Sequence, residues 1–83
     1  MPDITRATEV TEEVGKVVDD MFEYHAWNAD QQVDGKQVRQ ALAEAVKTII
    51  DHVPPSPDRT VAIRKLREAR MDCNSAITHG GKY

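Results

Sequence analysis

The sequence predicts an all-α fold, a short N-terminal helix followed by a long antiparallel helical hairpin. Three observations carry that expectation. Apolar residues recur at three- and four-residue steps through three separate stretches, the period of an amphipathic helix. The run Pro54-Pro55-Ser56-Pro57 separates the two longest stretches, and a double proline cannot continue a helix. Gly80-Gly81 closes the last one, a common C-terminal stop.

The chain of 83 residues is read as one domain, 1–83, in three parts. The N-terminal helix falls within 1–22, on Val10, Val14, Val17, Val18, Met21 and Phe22. Thr8 or Thr11 caps its start, and Glu12 and Glu13 complement the helix dipole in the first turn. Gly15 inside it costs roughly 1 kcal/mol relative to Ala. Residues 23–34 break the period and read as an ordered connector, too aromatic for a flexible linker. The hairpin is expected over 35–79. Its first stripe is Val38, Ala41, Leu42, Ala45, Val46, Ile49, Ile50 and Val53, and its second is Ala62, Ile63, Leu66, Ala69, Cys73, Ala76 and Ile77. Between them Ser56 reads as an N-cap, with Pro57 at the first helical position and Asp58 in the first turn. Two helices joined by so tight a turn lie antiparallel.

So short a chain buries only about 60% of its unfolded surface, and oligomerisation is a common remedy. The two apolar stripes are also wider than one hairpin partner and a short helix can cover, which predicts a homo-oligomer. A single cysteine, Cys73, allows no intrachain disulfide and fits a reducing compartment. No apolar run approaches the roughly 20 residues that span a bilayer. Met1-Pro2-Asp3-Ile4 lacks the regions of a signal peptide. The expectation is a soluble cytoplasmic protein without a membrane partner.

Charge is divided along the chain. Residues 1–30 hold eight acids and two bases, 31–53 three of each, and 54–83 three acids and six bases, which sums to the net −3. That balance argues against DNA or RNA, which need a broad positive surface. It leaves room for a compact anion held by a few arginines.

Three constellations stand out. Phe22, Tyr24 and Trp27 gather three of the four aromatics within six residues. Phe22 is read as sealing the end of the hairpin. Tyr24 and Trp27 offer either a seal or flat faces on which a base stacks. His25 between them either donates to a ligand or fixes the loop. Arg59, Arg64, Lys65, Arg67 and Arg70 make the third helix basic. Guanidinium forks match phosphate oxygens, whereas the plainer expectation is a solvated face paired with Glu68, Asp72 and the acidic first helix. Asn74, a poor helix former beside Cys73, either sets register at a subunit interface, touches a ligand, or is a partly exposed position with no special role. The spacings of His25, His52, Cys73 and His79 match no zinc pattern, so no metal site is expected. No nucleophile with an oriented base, phosphate-binding glycine loop or paired-carboxylate motif is present, so neither catalysis nor a cofactor is expected.

One resemblance spans about residues 20–79. The pattern Phe22-x-Tyr24-His25-x-Trp27-x4-Gln32, then Val38-Arg39, then Val53-Pro54-Pro55-Ser56-Pro57-Asp58-Arg59-Thr60-x-Ala62-Ile63-x2-Leu66-x-Glu68-Ala69-Arg70-Met71-x2-Asn74-x2-Ile77 resembles the phage hairpin domain shared by anti-CBASS protein 2 and Thoeris anti-defence protein 1. The resemblance implies a cyclic-nucleotide-binding sponge for immune evasion, active in the cytoplasm of an infected bacterial cell. Such proteins sequester cyclic di- and trinucleotides, or cyclic ADP-ribose isomers, without cleaving them. They assemble as homohexamers with pockets between protomers. The short helical N-terminal part resembles the anti-CBASS branch more than the anti-Thoeris branch. The departure is its acidity, which opposes a phosphate wherever that helix lines a pocket. The resemblance makes Tyr24 and Trp27 stacking residues and Arg39, Arg67 and Arg70 phosphate clamps. His25 and Asn74 complete the expected ligand-binding set. The alternative is a helical oligomerisation or adaptor module with no small-molecule ligand.

Overall fold

The computed structural model describes residues 4–6 and 8–83. Residues 1–3 and 7 of the expected N-terminal span, including the start read for a signal peptide, lie outside the described residues. The fold is all-α. A 3-10 turn, Ile4–Arg6, precedes three helices, α1 (Glu12–Phe22), α2 (Ala29–His52) and α3 (Pro57–Thr78), and no strand occurs among the described residues.

Each helix starts where its sequence supplies an acceptor for the orphan amides of the first turn. The Thr11 hydroxyl accepts from Val14 N at 3.2 Å, which settles the cap of α1 on Thr11. In α2 the Asn28 carboxamide accepts from Gln31 N at 2.8 Å, and Gln31 Oε1 accepts from Asn28 N at 2.9 Å. This reciprocal capping box starts α2 at Ala29, six residues before the expected 35. The connector is correspondingly shorter, 23–28 rather than 23–34. The physical reason is that caps and docking override a sparse hydrophobic period. Before Val38 the helix carries only Val33 as a large aliphatic residue, and it is exposed. Ser56 Oγ accepts from Arg59 N at 3.1 Å and donates to the Pro54 carbonyl, with Pro57 at the head of α3. Gly80 and Gly81, at φ 60° and 76°, take the left-handed conformations that end α3.

Helices α2 and α3 pack against each other. At one end Trp27 Nε1 donates to Thr78 Oγ1 at 2.7 Å, and Gln31 Nε2 donates to the Ile77 carbonyl at 2.9 Å. At the other, the Arg59 guanidinium donates to the Val53 carbonyl at 3.1 Å across the proline turn. The facing stripe is Val38, Leu42, Ala45 and Ile49 with Ala62, Leu66, Ala69, Cys73 and Ile77, all half-buried. Helix α1 is tied to the C-terminal tail instead. Tyr83 Oη donates to Asp20 Oδ2 at 2.6 Å and Lys82 Nζ to the same oxygen at 3.2 Å.

The isolated chain is thinly cored. Val17 is the one buried apolar side chain among the described residues, while Phe22 is 85% and Met71 68% exposed. Phe22 therefore does not seal the end of the helix pair. That place is taken by Trp27, whose ring packs on Gly35. The radius of gyration is 16.9 Å, against about 12 Å for a compact chain of this length. The accessible surface is 6703 Å², roughly 1,700 Å² more than a monomer of this mass normally shows. No helix among the described residues is long and apolar enough to cross a membrane.

Candidate functional site

The candidate site lies along one side of the α2–α3 pair. Trp27 is positioned first. Its indole N–H is held by Thr78 and its ring lies on the bare backbone of Gly35. A groove of ≈ 550 Å³ opens beside it, lined by Trp27, Ala29, Gln32, Val33, Lys36 and Arg39. Gln32, Lys36 and Arg39 recur at steps of four and three, so they stand in one row on α2. Arg39 also lines a second, smaller hollow of ≈ 160 Å³, with Leu42, Ala43, Val46 and Leu66 as an apolar floor and Arg67 and Arg70 on its α3 side. Arg67 continues into a third depression with Arg59, Thr60, Ile63 and Arg64.

The groove at Trp27 has the size of a small-molecule site, and the hollow alone does not. The two depressions share Arg39 as a lining residue and together make the candidate channel, with Trp27 lining the first and Arg39, Arg67 and Arg70 lining the second. The electrostatics of that channel are distinctive. Among the described residues, Arg39, Arg64, Arg67 and Arg70 form no ion pair. The expected pairing with Glu68, Asp72 and α1 does not occur among the described residues. Asp19 and Glu23 line a different depression with Phe22. Unpaired guanidinium groups converging over an apolar floor attract a compact anion and match its oxygens with forked hydrogen bonds.

The expected site residues divide into three groups. Trp27, Arg39, Arg67 and Arg70 are brought together along the channel. Asn74 is half-buried one turn beyond Arg70 on the same side of α3. Tyr24 is 89% exposed and makes no described hydrogen bond, so its ring is available to a ligand or a second chain. His25 faces the other way. Its Nε2 donates to the Asp20 main-chain carbonyl at 2.8 Å, and its ring meets His79 edge-on with centroids 5.2 Å apart. Arg59 is engaged at the turn, donating to the Val53 carbonyl.

Val33 and Lys36 belong to the groove and were not singled out by the sequence, and Gln32 entered only through the resemblance. Their signal is the four-residue spacing of Gln32, Lys36 and Gln40 beside Arg39, hidden while 23–34 reads as a connector. The polar knot at Asp20 is the other addition. The Tyr83 hydroxyl bonded to Asp20, and then Lys82, hold its carboxyl below the usual value. The same bond pushes the Tyr83 phenol up to about 12.

No family model, curated protein or solved structure matches this chain.

Proposed function

We propose that the protein is a non-catalytic sponge that sequesters cyclic oligonucleotide immune signals, in the manner of the phage anti-CBASS and anti-Thoeris hairpin proteins. On this reading the two long helices form an antiparallel hairpin that serves as a rigid scaffold. Trp27 and Tyr24 stack bases, and Arg39, Arg67 and Arg70 neutralise phosphates. The observation that carries the reading is the set of unpaired arginines around a channel that begins at an aromatic wall. A cyclic nucleotide requires both surfaces, and this channel offers both.

The working form is an oligomer, a hexamer by the resemblance. The roughly 1,700 Å² of surplus surface per chain corresponds to about two standard half-interfaces of roughly 800 Å² each. Two distinct patches per protomer are what a closed assembly larger than a dimer requires. The exposed Val10, Phe22, Val33, Val61 and Met71 supply apolar area for them. The same exposed surface also favours the alternative, an oligomerisation module without a ligand.

One experiment separates sponge, module and enzyme. The protein is dialysed against labelled cyclic di- and trinucleotides and cyclic ADP-ribose isomers, then digested, and the retained nucleotide is chromatographed. The sponge reading expects a retained, intact ring. Linear products would make the protein an enzyme, and no retention would leave the adaptor module.

A further inference from the structure

The sequence spacings of the histidines suggest no metal site, yet folding brings His79 to Asp20 and His25, more than 50 residues earlier in the chain. Asp20 lies in the last turn of α1, His25 sits in the connector, and His79 caps α3. One ligand atom from each lies within 4.8 Å of the other two, and all three residues are half-buried. We infer that Asp20, His25 and His79 bind a divalent transition cation of the Zn²⁺ class, which staples α1 and the connector to the end of α3.

The donor set fits that class. Two imidazoles and one carboxylate suit zinc and its neighbours, leaving one position for water or another ligand. Metal–ligand bonds of about 2.0–2.2 Å at tetrahedral angles put ligand atoms about 3.3 Å apart. Asp20 Oδ1 and His25 Nε2 are already 3.6 Å apart. The remaining separations are at most 4.8 Å, so closing on a cation requires a movement of roughly 1.5 Å or less. His25 Nε2 now donates to the Asp20 main-chain carbonyl, and binding through Nε2 exchanges that hydrogen bond for the cation.

Asp20 is also braced for the task. Its Oδ2 accepts from Tyr83 Oη at 2.6 Å and Lys82 Nζ at 3.2 Å, which leaves Oδ1 facing His25. An outer hydrogen bond of this kind orients a ligating carboxylate. The edge-on stack of His79 on Tyr83, with centroids 5.0 Å apart, braces the second imidazole. A cation here also answers a structural need. Helix α1 is joined to the rest chiefly through this knot, and small domains with thin cores commonly use a metal as a cross-link. His25 lies between Tyr24 and Trp27, so the staple fixes the connector that carries both aromatics.

The test uses the full chain, stripped with a chelator and titrated with Zn²⁺ alone against a chromogenic competitor. One Zn²⁺ per chain is expected, with a raised Tm. His25→Ala and His79→Ala should each lose at least the roughly 10- to 100-fold in affinity that removing an outer partner costs. Tyr83→Phe should lose about 10-fold, and His52→Ala, at the far end of α2, should match wild type. Should the histidine variants lose helicity, the ring-proton resonances of the wild-type chain decide. Those of His25 and His79 should shift with Zn²⁺ while those of His52 stay. No uptake by wild type, uptake unchanged in both histidine variants, or shifts at His52 alone would overturn the site.

Discussion

Replacing Gly35 by alanine tests how the end of the helix pair is held. In an exposed helix interior Gly→Ala stabilises by roughly 1 kcal/mol, because glycine loses more backbone entropy. Gly15, half-buried near the start of α1, has room for a side chain, since a Cβ there meets only Val10 Cγ1 at 3.9 Å. Gly35 is different. A Cβ there overlaps Trp27 Cζ3 and lies 2.5 Å from Cη2. The ring cannot retreat freely, because its Nε1 is held by Thr78 at 2.7 Å. Overpacking costs about 1–3 kcal/mol, and a lost hydrogen bond about 1 kcal/mol more. Set against the helix-propensity gain, Gly35→Ala should destabilise by roughly 1–3 kcal/mol. Each kcal/mol lowers Tm by about 4–8 °C in a domain of this size. Thermal melts by circular dichroism measure the shift, and the emission of the single tryptophan should move to the red. In a Trp27→Ala background the same substitution should become neutral or stabilising. If Gly35→Ala stabilises as Gly15→Ala does, with unchanged emission, Trp27 is not the clasp.

Ser56→Ala removes the acceptor for Arg59 N and the bond to Pro54. It should cost about 1 kcal/mol in urea unfolding, and a change within error would refute the capping role. Phe22→Ser with Met71→Ser should shift the assembly toward monomer in light scattering at micromolar concentration, because both side chains are exposed in the single chain. An oligomer of unchanged mass would place the interface elsewhere.

Much of the fold is legible in the sequence because its signals are local. Thr11, Ser56, Pro57 and Gly80 act on their own backbone, so their roles follow from residue type and neighbours. The start of α2 is less legible. Asn28 and Gln31 form a capping box, but the weak apolar period between Val33 and Val38 makes the segment resemble a connector. Trp27 explains the rest, since its partners Gly35 and Thr78 are 8 and 51 residues away. The pairing of arginines is not legible either. Glu68 and Asp72 are spaced to meet them, yet side chains on one helix choose between solvent and one another at little cost. The Asp20–His25–His79 knot is beyond any spacing rule, because α3 returns the chain to its own beginning.

The central claim is that the arginine-lined channel captures a cyclic nucleotide. Calorimetric titration tests it most directly, with cyclic di- and trinucleotides and cyclic ADP-ribose isomers, at low and high salt. The account predicts saturable binding of at least one of them. Tyr24→Ala should weaken it by about 5- to 150-fold, the worth of one stack. Arg70→Ala and Arg67→Ala should weaken it with a shallower salt dependence, because a phosphate contact is lost. No heat with any of these nucleotides, or wild-type affinity in all three variants, would contradict it.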